Sequence, residues 1–380
     1  MDLRAAVIGL GFVGRAHLES LRRQGIAVQG ILGSSPQRTQ EACRSLNITK
    51  GYNFLDELAQ DKSVDVVHVC TPNNVHAEQS KACLNAGKHV MCEKPLAMHS
   101  GESAELISLA AKNKRVDGVT YNLRYYPLVQ EARSIVARGL IGEPRLVHGS
   151  FLQDWLLFPT DWNWRLEPQY GGDMRAVADI GTHLMDSMMF VSGRKITDLC
   201  ADLATTNPIR QKPRGRVETF QRAQGASDEI KVTTDDYASI LLRFEGGIHG
   251  VASVSQVSAG RKTRLWWEVD GSEGSVAWNS EEPNTLWIGR RQEPNQEIIK
   301  DPSLLSPEAR GYAAYPGGHA EGYPDTFVQL FKDFYAYIAA GDFGAPRSFP
   351  TFQTGHDELI LCEAIAASAR ERRWVTVKYK

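Results

Sequence analysis

The chain lacks any apolar run long enough to cross a bilayer, and its first residues enter a strand and a glycine turn without a cationic stretch or a small-residue cleavage site. A cytoplasmic protein with no membrane partner is expected. Cysteine is sparse: Cys43, Cys70, Cys83, Cys92, Cys200 and Cys362 are scattered with no CxxC spacing, which speaks against a disulfide framework and a zinc site, so no metal is expected. Cys92, two residues before Lys94, reads either as a reactive thiol or as a small core residue, with the core reading favoured. An excess of one charge is also missing. Lys and Arg number 43 against 45 Asp and Glu, a formal charge of -2, and the two signs interleave, so nucleic acid is excluded as a partner. There is no internal repeat and no low-complexity tract.

What is present suits a two-part globule. At 380 residues the chain exceeds what one core usually serves, and 42% hydrophobic residues can fill two. Up to residue 122, short β-branched runs (5–8, 28–32, 64–70, 89–92, 116–121) alternate with helical patterns (12–23, 37–45, 75–86, 101–112), the grammar of βαβ units and a parallel sheet. The boundary is set there, giving domains 1–122 and 123–380. Beyond it a helix at 127–138 precedes strands at 145–151, 197–205, 237–244, 248–257, 264–270, 275–278 and 285–288, joined by short glycine turns: a mostly antiparallel sheet in an α+β domain. Helices at 325–340 and 353–370 close the chain. The stretch 207–235 has weak strand character and is expected to be a loop. Its cations Arg210, Lys212, Arg214, Arg216 and Arg222 could face a phosphate, but a solvated loop is the favoured reading.

Gly9-Leu10-Gly11-Phe12-Val13-Gly14 directly follows the first strand and opens a helix, the context in which a G-x-G-x-x-G match points to a dinucleotide and a Rossmann domain. The first glycine permits the turn, the second lets a pyrophosphate approach the backbone, and the third lets helix and strand pack. After the second strand the chain reads Leu32-Gly33-Ser34-Ser35-Pro36-Gln37-Arg38, with no carboxylate for a ribose diol. Ser34, Ser35 and Arg38 can donate to a 2′-phosphate, so NADP is favoured over NAD. Arg38 as an ordinary exposed helix cation is the competing reading.

Glu93-Lys94-Pro95 lies just past the fourth strand, at the carboxyl edge where open α/β sheets bind ligands. A lysine there can hydrogen-bond a substrate oxygen, and Pro95 can fix its backbone, including through a cis peptide. Gly171-Gly172 precedes Asp179-Ile180-Gly181-Thr182-His183; with a helix starting near Asp179, the aspartate and histidine fall one turn apart. An imidazole titrates near neutrality and suits general-base work on a hydroxyl. A helix cap and a core histidine are the alternatives. Trp155, Trp162, Asn163, Trp164 and Arg165 suit a pocket wall, the rings stacking on a sugar and Arg165 donating to hydroxyls or a carboxylate, or else a piece of core. Gly317-Gly318-His319 and Tyr323 could form a loop over the same site, though an ordinary glycine-rich connection is the favoured reading.

Together the segment 9–14, Thr71-Pro72-Asn73, Glu93-Lys94-Pro95 and the segment 171–183 resemble the Gfo/Idh/MocA family of sugar and inositol dehydrogenases over nearly the whole chain. The resemblance implies a Rossmann domain joined to an α+β domain whose open-faced sheet makes homodimer or homotetramer contacts, with hydride passing between NAD or NADP and a sugar or polyol. It implies Lys94, Asp179 and His183 as the catalytic trio. Thr71, Pro72, Asn73, His76 and Glu93 would line the cofactor, with Asn122 or Arg124 near the nicotinamide. Gly33 departs from the acidic residue of many members. Two other functions compete with a dehydrogenase: a glycosidase acting by transient oxidation of its sugar through a retained dinucleotide, and a non-catalytic dinucleotide-binding regulator.

Overall fold

The computed structural model describes residues 3–215 and 225–379. By contact density the chain divides into two units. One holds the chain up to Asn122, with Gln169–Gly172 and Pro324–Leu359; the other holds Leu123–Pro168, Asp173–Tyr323 and the chain from Ile360 onward.

In the first unit β1 (Arg4–Ile8), α1 (Phe12–Arg23), β2 (Ala27–Leu32), α2 (Pro36–Leu46), α3 (Leu55–Gln60), β3 (Val66–Val69), α4 (His76–Asn85), β4 (His89–Cys92), α5 (Ser100–Lys112) and β5 (Asp117–Val119) build a five-stranded parallel sheet ordered β2-β1-β3-β4-β5. β3 and β4 are buried at every position, which is why they read as short apolar runs interrupted only by His68 and His89. The six-residue α3 was not expected, being too short to show a helical period. The strand order reverses direction between β1 and β3, so the carboxyl ends of these two strands flank a crevice.

The second unit begins with α6 (Pro127–Ala137) and β6 (Pro144–Leu152); the short α7 (Pro168–Gly171) belongs, but for Pro168, to the first unit, and α8 (Thr182–Ser192) to the second. Then come β7 (Ile196–Ala204), β8 (Ile209–Pro213), β9 (Ser227–Lys231), β10 (Tyr237–Phe244), β11 (Ile248–Ser255), β12 (Arg264–Gly271), β13 (Ser275–Asn279), β14 (Thr285–Gly289), β15 (Gln296–Ile299) and α9 (Pro307–Arg310). The nine-stranded sheet runs β15-β14-β13-β12-β6-β11-β10-β7-β16, where β16 is Val375–Thr376. Only β6 with β11 pairs in parallel; the other pairs of this sheet are antiparallel. One face packs a core around Val147, Leu184, Ile240, Leu265 and Trp267. The opposite face carries Leu146, Leu241, Val251 and Trp287, all substantially exposed.

The expected loop 207–235 is partly a two-stranded ribbon of β8 and β9. Arg210 is neither solvated nor facing a phosphate: it is fully buried, its guanidinium 2.7 Å from Asp236 and donating to the carbonyls of Leu156 and Phe158 at 3.0 Å. Lys212 pairs with Glu167 at 2.6 Å and Arg214 with Asp228 at 2.7 Å. Arg216 and Arg222 lie outside the described residues.

Two long helices finish the chain, α10 (Tyr323–Ala340) and α11 (Phe352–Glu371). Phe352 and Leu359 enter the core of the first unit, where Val119 also donates its N–H to Pro350.

Candidate active site

The glycine turn follows β1 as its spacing predicts, and each glycine meets a different environment. Gly9 has φ +89°, and a Cβ there would lie 2.4 Å from the carbonyl oxygen of Cys70. At Gly14 a Cβ would sit 2.0 Å from the oxygen of Gly9, so this glycine is needed for α1 to close on its strand. Gly11 is unlike both, since a Cβ there would meet nothing within 4 Å. The protein itself does not require this glycine. Helix α1 starts on Gly11 with no capping side chain and no acidic residue in its first turn, leaving its N-terminal N–H groups and their positive partial charge for an anion. Phe12 is 52% exposed, and Val13 is half-buried. These residues fit a dinucleotide pyrophosphate.

At the end of β2, Ser35 caps α2, its hydroxyl oxygen accepting from the N–H of Arg38 at 3.3 Å. Thr39 orders the same turn, accepting from the N–H of Gly33 at 2.9 Å and donating to the carbonyl of Ser35 at 3.0 Å. Ser34 and Arg38 are exposed, and the Arg38 guanidinium has no carboxylate partner among the described residues. Sequence reasoning passed over Thr39, because a threonine in a helix carries no signal of what its hydroxyl reaches.

Past β3, Thr71 donates its hydroxyl to Gln79 at 2.7 Å, and Pro72 opens a short 3-10 turn, Asn73–Val75. Buried Asn73 donates its side-chain amide to the carbonyl of Gly171 at 3.0 Å. His76, fully enclosed, spans two turns: Nδ1 lies 2.8 Å from the carbonyl of Pro95 and Nε2 2.8 Å from that of Thr71. Burial lowers its pKa, and the two carbonyls act against that shift. His76 thereby holds the turn after β3 to the turn after β4.

That second turn holds Glu93-Lys94-Pro95, with a cis peptide between Lys94 and Pro95. Glu93 is buried, and its Oε2 accepts from the Lys94 backbone N–H at 3.2 Å. Lys94 is half-buried. Cys92 is fully buried in the core, where loss of solvent pushes its thiol well above the usual range, so it is a core residue rather than a thiolate. Asn122 is buried and donates to the Thr326 hydroxyl at 2.7 Å.

In the second unit Asp179 does not begin a helix. It sits inside a π-helical turn, Val177–Gly181, that runs without a break into α8, and its own N–H already donates to Arg175. Such turns recur at functional sites because they re-aim one side chain. Its carboxylate is gripped from both sides, Oδ1 lying 3.1 Å from Arg165 Nε and Oδ2 accepting from Gln256 Nε2 at 2.8 Å. Gln256 is held in turn by buried Arg175, which donates to its Oε1 at 3.1 Å and pairs with Asp236. Gln256 escaped sequence reasoning, since nothing near the end of β11 distinguishes it. His183, on the first turn of α8, is 8% exposed.

The remaining candidates fall in different places. The Arg165 guanidinium also lies over the Trp164 ring, 4.4 Å from its centroid, so these two and Asp179 form one cluster. Trp162 instead packs with Leu156, Leu166 and Val232 in a small buried group, with Trp155 against it. Arg124 chelates Asp186 of α8, Nε at 2.7 Å from Oδ2 and Nη2 on Oδ1. Burial raises the Asp186 pKa, and Arg124 opposes that rise. His319 is exposed on a loop that buried Lys300 ties down, its Nζ reaching the carbonyls of Tyr315 and His319 at 2.9 and 2.8 Å and Glu321 at 2.7 Å.

Among the described residues no group of histidine, cysteine and carboxylate side chains could hold a metal ion, and no helix is long and apolar enough to cross a membrane. Residues 3–121 match the family model of an oxidoreductase family with an NAD-binding Rossmann fold, and residues 129–277 match the GFO/IDH/MocA C-terminal domain. The chain is 28% identical to a levoglucosan dehydrogenase of Pseudarthrobacter phenanthrenivorans, covering 99% of this chain and 98% of that protein. It is 34% identical to a 1,5-anhydro-D-fructose reductase of Ensifer adhaerens over 80% of this chain and 84% of the relative. Among solved structures, a levoglucosan dehydrogenase in complex with NADH and L-sorbose superposes with a TM-score of 0.89 at 28% identity, covering 99% of each chain. Sequence, fold and relatives agree: the chain is a member of the Gfo/Idh/MocA family of NAD-binding, sugar-dehydrogenase-like oxidoreductases.

Proposed function

We propose that the protein is a dehydrogenase moving hydride between a nicotinamide and a secondary hydroxyl of a sugar, inositol or glycoside, with Lys94 and His183 handling the hydroxyl proton. The observation that carries this reading is Gly11: an open position at an uncapped helix N-terminus, with Glu93-Lys94-Pro95 at the carboxyl edge of the same sheet. The bound nicotinamide supplies the hydride acceptor. Gly9, Gly11, Phe12, Val13 and Gly14 hold its phosphates, and Thr71, Pro72, Asn73, Glu93 and Asn122 shape the rest of its site, with His76 fixing the turns. The Lys94 ammonium donates to the alcohol oxygen and favours its alkoxide character. His183 accepts the hydroxyl proton. Asp179, oriented by Arg165 and Gln256, holds a neighbouring hydroxyl or the imidazole, and Trp164 offers a face to the sugar ring.

NADP is preferred to NAD, because Ser34 and the exposed Arg38 stand where a carboxylate would repel a 2′-phosphate. The protein acts in the cytoplasm as a homodimer or homotetramer through the outer sheet face.

The test is to incubate the protein with NAD or NADP and a panel of polyols, anhydrosugars and glycosides. Stoichiometric growth of reduced nicotinamide is expected; aglycone release without it would establish the glycosidase instead. Lys94→Met and His183→Ala should each lower kcat by about 10²- to 10⁴-fold while NADH binding persists. Full activity in both variants would refute the mechanism.

A further inference from the structure

Behind Glu93 lies a buried line of ionisable groups that the mechanism above does not use. His17 Nε2 is 3.0 Å from Glu93 Oε1, His17 Nδ1 is 2.9 Å from His68 Nδ1, and His68 Nε2 is 2.9 Å from Tyr335 Oη. All four residues belong to the first unit, on α1, β3, α10 and the turn after β4. Both imidazoles and the phenol are 0% exposed. Phe331 of α10 sets its edge against both imidazoles, with centroids 4.8 and 4.7 Å away, and Phe327 closes on His17 at 5.4 Å. The box is closed to solvent and aromatic.

Proton counting gives the line a single direction. Two ring nitrogens 2.9 Å apart must be one donor and one acceptor. Tyr335 Oη has no other partner among the described residues, so its proton goes to His68 Nε2. His68 then carries its one hydrogen on Nδ1 and gives it to His17 Nδ1. His17 carries its hydrogen on Nε2 and gives it to Glu93 Oε1, so that with Oε2 accepting from the Lys94 N–H both Glu93 oxygens act as acceptors. Run the other way, the phenolic hydrogen would be buried with no acceptor, a costly arrangement. Burial, aided by the neighbouring His17, pushes the His68 pKa well down, and burial pushes Tyr335 well up, so both stay neutral as this direction requires. The other titratable groups facing the line are Lys94, His76, Cys70 and Cys92 around Glu93, and Asp65 toward Tyr335.

We propose that Tyr335, His68 and His17 form a one-way hydrogen-bond line that holds Glu93 in one orientation with both oxygens accepting, making His17 and Tyr335 positioning residues for Lys94. This rests on the assignment of Lys94 to proton handling. Glu93 Oε1 is spent on the line, and Oε2 is left to hold the Lys94 N–H. Because His17 belongs to α1, the same contact ties the glycine-turn helix to the lysine turn.

The line can be read in the full-length protein without turnover. Two-bond proton–nitrogen spectra of ¹⁵N-histidine-labelled protein should show His17 protonated on Nε2 only and His68 on Nδ1 only, with His68 still neutral at about pH 6. Tyr335→Phe removes one buried oxygen and should release His68 from that tautomer. With Tyr335→Phe or His17→Gln, kcat for the polyol should fall about tenfold and the acidic limb of the pH profile should move upward, while the NADH Kd from nicotinamide fluorescence stays within about twofold. Opposite tautomers, or an imidazolium at either ring in the unsubstituted protein, would overturn the line. Altered tautomers with unchanged kcat would overturn its positioning role; if His17→Gln does not fold, Tyr335→Phe decides alone. Full activity in Lys94→Met would instead sink the assignment of Lys94, and the spectra would still judge the line.

Discussion

Gly11 and Gly14 stand three positions apart in one turn, and they respond to opposite pressures. A methyl group on Gly14 would drive into the backbone of Gly9, whereas on Gly11 it would enter open space. Gly14→Ala should therefore lower the melting temperature or abolish folding, while Gly11→Ala should fold normally and bind NADH weakly, as thermal denaturation and fluorescence titration can show. Equal loss of stability in both would contradict a ligand role for Gly11. Gly33 tests the cofactor preference. A Cβ there would lie 3.1 Å from the N and Oγ1 of Thr39, tight but open to small adjustment. Gly33→Asp should lower the ratio of kcat/KM with NADP to that with NAD by about tenfold or more, since a carboxylate repels the 2′-phosphate and accepts from the ribose hydroxyls. An unchanged ratio would remove the preference. Motifs such as 9–14 and 93–95 can be read from sequence because their parts are adjacent in the chain. Gln256, His17, His68 and Tyr335 cannot, because each acquires its partner only when distant strands and helices meet.

At the scale of elements, β12 places Glu268 and Asp270 on the outward face of the large sheet, across from His148 on β6. His148 Nε2 lies 3.2 Å from Asp270, and Ser275 donates to the same carboxylate at 2.6 Å. Burial, and then the adjacent Asp270, pushes Glu268 up from 4.5 to about 7. The folded state thus holds this proton more tightly than the unfolded chain. The stabilisation is complete below the unfolded value of 4.5 and is lost as pH rises through about 7. Glu268→Gln, which imitates the protonated acid, should melt higher than the unsubstituted protein at pH values above 7 and at the same temperature below 4.5, as calorimetry across that window would reveal. A parallel pH dependence in both proteins would rule this out. Strands such as β10 were legible from their alternation of buried and exposed positions. The β8–β9 ribbon was not, because all five residues of β9 are exposed and the ribbon depends on pairing and on buried Arg210. The adjacent acids Asp235-Asp236 were the available hint that nearby arginines are claimed, and Arg210→Met should destabilise the fold by about 1–3 kcal/mol, because the carbonyls of Leu156 and Phe158 lose their donor while Asp236 keeps Arg175.

For the molecule as a whole, the exposed row of Leu241, Val251, Leu146 and Trp287 bears on the proposed assembly. Leu241 faces Val251 directly across the ladder, and His148 and Glu268 follow in the same row before Trp287, so this side of the sheet mixes apolar and ionisable positions. If that face is covered by a second copy, light scattering should report a dimer or tetramer for the unsubstituted protein and a monomer for Leu241→Lys. A monomeric unsubstituted protein would end that proposal. The parallel-plus-antiparallel architecture was evident in the sequence from the change of grammar after residue 122. What local patterning could not show is that α10 and the start of α11 return to the first unit.

That return has a temporal meaning. The amino-terminal sheet leaves the ribosome first, yet the pieces that finish its interior, Tyr335 against His68 and Phe352 in the apolar centre, are among the last to be made. The nascent chain must therefore carry an unfinished, greasy flank through most of its own synthesis. A protein truncated before residue 324 would keep its glycine turn and lysine intact in sequence and still lack the lining on which they sit.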